Sequence, residues 1–329
     1  MGILTLKVAY IGATWDGGVD PKNDLLLRII EKVGGCQICV VHEVREAEIV
    51  LVYPYVVGSL GFRFKWLVAH FLRKLGLVKD YSRLFRKMLG VGDKPVIFVS
   101  HENLDKPYWW NLLGRFLVES NIPRLTFWPH EIDPHGARFP YWYNYVDWPE
   151  YPREEFYQRF GRLYKIDELL SPLSPLDGRK NAAVSISSHL DHPRQALLQF
   201  IRSKIPVEAW GGAGARFDGG KLDLMQQYKF AFCPENSTGY GYDTEKIPEA
   251  WVAGCIPVGI YLNPYSDFNP SILECSLASG DAVYRAPLLL KKPDLAAVED
   301  YVRQFIGKYL PGHAHLQRDN TFSGGAGID

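Results

Sequence analysis

Tyr228-Lys-Phe-Ala-Phe-Cys-Pro-Glu-Asn-Ser-Thr-Gly-Tyr-Gly-Tyr-Asp-Thr-Glu-Lys-Ile-Pro-Glu-Ala-Trp251 is the stretch that decides the fold. Its apolar start predicts a buried strand ending at Cys233. A polar turn follows, in which Gly239 and Gly241 let the backbone pass close to a ligand. A helix is predicted over Thr244 to Ala253, with Gly254 as its stop. Free N–H groups and the positive end of the helix dipole favour an anion at its start, and Lys246 adds a full charge there. A diphosphate fits such a site, and Glu245 can accept hydrogen bonds from ribose hydroxyls. The carboxyl edge of parallel strands is where α/β folds bind nucleotides.

Working outward, strand-like and helix-like runs alternate on both sides. Leu6 to Ile11, Cys36 to His42, Ile49 to Tyr53 and Pro95 to Ser100 read as strands, with helices over Asp24 to Val33 and Trp109 to Glu119. A second set has strands at Ala182 to Ile186, Val207 to Trp210 and Ile256 to Ile260, with helices over Pro193 to Lys204 and Leu222 to Gln227. This alternation predicts parallel sheets. The Pro- and Tyr-rich stretch from Pro140 to Pro175 is the expected linker, and an amphipathic helix over Asp294 to Tyr309 closes the pattern before a glycine-rich, mobile tail. The expectation is two Rossmann-like α/β domains facing a cleft, residues 1–165 and 166–329.

Equal numbers of basic and acidic residues, 37 of each, give no global attraction to nucleic acid. No run of 18 apolar residues and no signal peptide is evident, and five sparse cysteines suit a reducing compartment. A cytoplasmic location is expected. Cys36 and Cys39 form a lone C-x-x-C, read as buried strand cysteines. Gly61 to Gly90 carries eight Lys/Arg and one acid, Asp80, interleaved with aromatic and aliphatic residues. It suits either a helical hairpin with a solvated basic face or a peripheral contact with anionic membrane. Gly211-Gly-Ala-Gly and Lys221-Leu222 miss the dinucleotide-loop and phosphate-loop patterns. No Asp-x-Asp occurs; Glu131-Ile-Asp133 is a poor substitute, and His313 and His315 lack partner carboxylates. Asn236-Ser-Thr matches a glycosylation sequon, read as incidental.

The quoted stretch resembles the donor-site signature of the α-1,3/α-1,4-fucosyltransferase family. Tyr228, Lys229, Phe230, Glu235, Asn236, Gly241, Tyr242, Thr244, Glu245 and Lys246 stand in the family's pattern, and Ala253-Gly-Cys-Ile-Pro-Val-Gly and Asp267-Phe-Asn-Pro continue it. The resemblance runs from about Asn181 to Pro270. It implies a GT-B fold, GDP-fucose as donor, an oligosaccharide acceptor, inversion at the anomeric carbon, and neither metal nor other cofactor for the chemistry.

By residue, the resemblance implies that Lys246 and the Arg194 of His192-Pro-Arg-Gln-Ala hold the diphosphate. Glu235 and Thr244 belong to the same donor site, Glu245 and Asn236 contact the nucleoside, and Tyr242 lines the pocket. The family base is a glutamate in a Gly-Glu-Asn turn after an N-terminal strand. Here Val96-Ile-Phe-Val-Ser-His-Glu-Asn makes Glu102 the candidate, with His101 in the glycine's place. The expected reaction is transfer of L-fucose in α-1,3/4 linkage to GlcNAc or Glc of a surface oligosaccharide such as lipopolysaccharide. Two alternatives stay open: another nucleotide sugar on the same fold, and a non-catalytic glycan- or nucleotide-binding protein.

Overall fold

The computed structural model describes residues 4–13, 23–58, 60–78, 80–105, 113–114, 116–118, 120–153, 162–174, 176–187, 194–215, 219–235, 237, 239–259, 265–275 and 285–311. The N-terminal sheet joins β1 (Thr5–Ile11), β2 (Gln37–Val40), β3 (Ile49–Val52), β4 (Val96–Val99), β5 (Arg124–Thr126) and β6 (Ala137–Arg138). Its order is β2-β1-β3-β4-β5-β6, and every pair is parallel. β3 and β4 are buried along their whole length, as strands covered on both faces must be. α1 (Leu25–Gly34) connects β1 to β2. Asp24 caps it by accepting from the amides of Leu26 and Leu27, and Gly35 ends it in a left-handed conformation.

After the short pair β7 (Val146–Asp147) and β8 (Tyr164–Lys165) comes α4 (Ile166–Leu170). The C-terminal sheet is β9 (Lys180–Ile186), β10 (Val207–Trp210), β11 (Tyr228–Phe232) and β12 (Ile256–Val258), ordered β10-β9-β11-β12 and again parallel. Its helices are α5 (Arg194–Arg202), α6 (Lys221–Met225), α7 (Lys246–Val252) and α8 (Pro270–Cys275), and α9 (Ala296–Tyr309) closes the described chain. α2 (Leu60–Lys74) and α3 (Tyr81–Leu89) form the helical hairpin expected between Gly61 and Gly90. Of the helix predicted over Trp109 to Glu119, residues 113–114 and 116–118 are helical and the rest lies outside the described residues.

Three expectations need correction. The stretch from Pro140 to Pro175 is not a linker over its described length. Trp142, Tyr145, Trp148, Tyr151 and Tyr164 are buried, most of them in the same apolar cluster that holds Val184, Tyr228 and Trp251 of the C-terminal unit. Its aromatic residues bury too much apolar area to be left as a tether. Cys36 is buried but Cys39 is exposed, because β2 is the sheet edge and its alternate side chains face water. The closing helix α9 follows the C-terminal unit in sequence yet packs along α1. The Tyr301 hydroxyl accepts from the Arg124 amide at 2.9 Å and donates to the His135 carbonyl at 3.2 Å.

Candidate active site

Strand order fixes where each half can bind. In the C-terminal sheet the chain leaves β9 toward β10 on one side, and β11 continues to β12 on the other. The carboxyl ends of β9 and β11 therefore flank a switch point, where a crevice opens. A cavity of about 210 Å³ lies there, floored by Val184, Ile186 and the Ala231–Pro234 strand end. Arg194, Lys221 and Lys246 line it together with Glu245 and Glu249. In the N-terminal sheet the same switch falls between β1 and β3, and the segments following β3 and β4 bring Tyr55 and Glu102 together. The Tyr55 hydroxyl donates to Glu102 Oε1 at 2.5 Å.

The two sites meet through the loop that joins β11 to α7. Asn103 Nδ2 donates to Ser237 Oγ at 2.8 Å, so the turn carrying Glu102 is tied directly to that loop. Arg138 Nη1 donates to the Gly241 carbonyl at 3.1 Å, and its Nη2 pairs with Asp267 at 2.7 Å. The Trp142 indole N–H donates to the same carboxylate at 3.0 Å. Gly239 and Gly241 serve this junction rather than a close approach of the backbone to a ligand. A Cβ on Gly239 would lie 2.7 Å from Asn103 Oδ1. Gly241 has φ of 76°, and a Cβ there would lie 2.6 Å from the Phe127 carbonyl oxygen.

Within the cavity Lys246 Nζ lies 2.9 Å from Glu235 Oε2 and 2.6 Å from Thr244 Oγ1. Glu235 also accepts from the Thr244 amide at 2.9 Å. That contact revises the helix start. α7 begins at Lys246 rather than Thr244, and the Thr244 N–H is already occupied by a carboxylate. Side-chain charge from Arg194, Lys221 and Lys246 supplies attraction for an anion here, with the Thr244 amide already engaged. Glu235 acts as the anchor that aims Lys246 and Thr244.

Burial opposes the charge of Lys246, but Glu235 and Glu245 outweigh it and raise its pKa, while Arg194 pushes the other way. Glu245, disfavoured by burial, is nonetheless held below the usual range by Lys246 and Lys221. Both groups stay ionised, and the strain between Arg194 and Lys246 is the kind an incoming anion relieves.

Arg194 stands as the first residue of α5 and faces this cavity, as expected. Asn236 lies outside the described residues. Tyr242 does not line the cavity: it is buried in the N-terminal unit's apolar cluster, edge-on to Phe127 at 5.1 Å. A phenol in a turn that crosses to the other sheet gains more from that cluster than from a wet pocket.

His101 sits among the rings of Tyr53, Phe139 and Tyr141, and burial lowers its pKa to about 4. It is neutral at physiological pH and gives the turn an apolar footing. Asp133 is spent on a buried pair with Arg124, with contacts of 2.6 and 2.7 Å, so it offers nothing to a metal. His313 and His315 fall outside the described residues.

Two residues of the site escaped the sequence reading. Lys221 belongs to the failed phosphate-loop pattern, yet it enters the cavity at the start of α6 and pairs with Glu249, which is 1% exposed. A cation in a first helical turn was the available signal, the same one that marks Arg194 and Lys246. Tyr55 carried none, because only the pairing of β3 with β4 brings it to Glu102.

Comparison with known proteins agrees with this geometry. Residues 176–272 match the profile described as glycosyltransferase family 10 (fucosyltransferase) C-term. The C-terminal unit is thus similar to family 10 glycosyltransferase domains. An α-(1,3)-fucosyltransferase FucT of Helicobacter pylori is 38% identical over 101 residues, 28% of this chain and 20% of that one. A putative fucosyltransferase-like protein of Arabidopsis thaliana is 31% identical over 108 residues, 32% of this chain and 21% of its own. The matches thus span about a fifth of the curated relatives' length.

Whole-chain likeness is found with solved structures. An α1,3-fucosyltransferase crystal structure aligns with a TM-score of 0.52 at 20% identity, over 95% of this chain and 81% of its own. One with GDP-fucose gives 0.51 at 18%, over 96% and 81%, and one with GDP gives 0.54 at 17%, over 94% and 91%. The stretch that matches the family 10 profile is therefore the second half of a GT-B fold.

Proposed function

We propose that this protein is an inverting fucosyltransferase that moves L-fucose from GDP-fucose to a hydroxyl of a glycan, in α-1,3 or α-1,4 linkage to GlcNAc or Glc. One contact carries the reading: Asn103 binds Ser237 and so holds the Glu102 turn of one sheet against the donor-signature loop of the other. In this reading Glu102 takes the proton from the acceptor hydroxyl as that oxygen attacks the anomeric carbon opposite the departing GDP. Tyr55 holds the carboxylate in place. Negative charge grows on the leaving diphosphate, and Arg194, Lys221 and Lys246 stand around the cavity that would receive it. Three cations of its own make a metal unnecessary, so transfer in EDTA is expected.

The first experiment is a donor screen, with GDP-fucose against other nucleotide sugars, read on a glycan array. Transfer from GDP-fucose that inverts the anomeric configuration supports the proposal. Binding of GDP without transfer from any donor favours the non-catalytic alternative, and transfer of a different sugar favours the other. The acceptor is taken to belong to a surface oligosaccharide, made by protein lying at the cytoplasmic face of a membrane.

A further inference from the structure

Helix α2 has two apolar faces, and the fold covers one of them. Phe62, Trp66 and Ala69 recur at steps of three and four residues and are buried in the N-terminal core. Phe62 meets Phe85 of α3 edge-on at 6.4 Å, and Trp66 meets Phe116 at 4.7 Å. Leu60, Phe64, Leu67, Val68 and Phe71 repeat the same spacing about half a turn away. All five are exposed: Leu60 at 81%, Phe64 at 69% and Phe71 at 61% stand well clear of the protein. Leu75 and Leu77 extend the exposed stripe past the helix end. Contiguous apolar surface of this kind marks an interaction site.

Charge says what covers it. The eight Lys/Arg between Gly61 and Gly90 face one acid, Asp80, in a chain of zero net charge. Helical spacing sets Arg63 on one flank of the stripe and Lys65 on the other. Arg83 and Lys87 are exposed on α3, and with Arg86 they line an open groove beside Tyr309.

We propose that the α2–α3 hairpin docks on an anionic lipid surface, with the stripe from Leu60 to Phe71 in the acyl boundary and the lysines and arginines at the headgroup phosphates. α2 has 15 residues, and no helix among the described residues is long and apolar enough to cross a membrane, so it lies in the interface plane. A second copy of the chain is the poorer occupant, because a twofold contact would set two strongly basic hairpins against each other. Leu60 follows Tyr55 by five residues, at most about 18 Å of chain, so docking keeps the cleft near the lipid. This inference does not depend on which sugar is transferred.

The full chain is sedimented with phosphatidylcholine vesicles, with and without phosphatidylglycerol, at low and high salt. Binding is expected with phosphatidylglycerol and should weaken in salt. Phe64→Asp with Phe71→Asp should weaken it at least about tenfold while GDP affinity and thermal unfolding stay unchanged. Lys65→Glu with Lys87→Glu should weaken it and flatten the salt dependence. Wild-type protein that ignores both vesicle types, or a Phe64/Phe71 variant that binds as well as wild type, overturns the proposal. So does a wild-type dimer in solution that this variant dissociates, which would assign the stripe to a second copy.

Discussion

The Tyr55 hydroxyl and the Glu102 carboxylate, carried by the segments after the neighbouring strands β3 and β4, share a 2.5 Å hydrogen bond. The contact takes one oxygen of Glu102 and orients the other.

Replacing the carboxylate should be far worse than freeing it. Glu102→Gln should lower turnover by ~10²–10⁴, the usual worth of a positioned base, with GDP affinity intact. Tyr55→Phe leaves the acid but loosens it, and kcat should fall about 10- to 100-fold with the donor KM unchanged. GDP release and acceptor glycosylation should be followed separately, since donor hydrolysis can hide a loss of transfer. Near-normal transfer by Glu102→Gln would remove it as the base.

Arg194→Ala and Lys246→Ala should each weaken GDP binding by ~1.5–3 kcal/mol in a calorimetric titration, the range for a charge-assisted hydrogen bond. Unchanged affinity in both would sink the donor-site assignment.

Lys221→Ala should do two things at once. It removes a cation from the cavity and strands the buried carboxylate of Glu249, so stability should drop by about 3–5 kcal/mol. Adding Glu249→Gln should recover much of the stability and none of the GDP affinity. Affinity that returns with stability would make Lys221 purely structural.

Two glycines should respond in opposite directions. Gly241→Ala forces a left-handed backbone and an overlap with Phe127, and should cost at least about 1–2 kcal/mol in denaturant unfolding. Gly307 lies in α9 with open space at its Cβ position, so Gly307→Ala should stabilise by about 0.5–1 kcal/mol. A loss at Gly307 would mean that α9 is held differently.

Asp243 sets an acid-side dependence. Burial, reinforced by Asp267 and opposed by Arg138, raises its pKa from 3.8 to about 6. The folded state therefore binds this proton more tightly than the unfolded chain does. The sign follows: Asp243 makes the protein less stable as pH rises from about 4 to 6, and the penalty persists above. Asp243→Asn should add on the order of 2 kcal/mol at pH 8 and almost nothing at pH 4. Equal effects at both pH values would assign the change to lost hydrogen bonds instead.

Much of the fold was legible along the chain because the cues are local. Apolar strand-like runs at Leu6, Ile49, Ala182 and Tyr228 that alternate with helix-like runs announce parallel sheets. Asp24 and Gly35 bound α1 through contacts with their own neighbours. The donor signature could be read because Glu235, Thr244 and Lys246 lie within one strand–turn–helix. For residues this close in sequence, spacing fixes proximity. Even the second apolar stripe of α2 is present in the order of its residues.

What the sequence could not decide was which surface each of those residues faces. Gly239, Gly241 and Tyr242 looked like ligand contacts and instead join the two sheets, because Asn103, Phe127 and Arg138 arrive from more than a hundred positions away. Tyr55 meets Glu102, and Lys221 meets Glu249, only once strand order and helix packing are set. α9 crosses back to α1 for the same reason. Local preference chooses the elements, but burial of apolar area among distant elements chooses their neighbours, and a site built across two sheets belongs to the second choice.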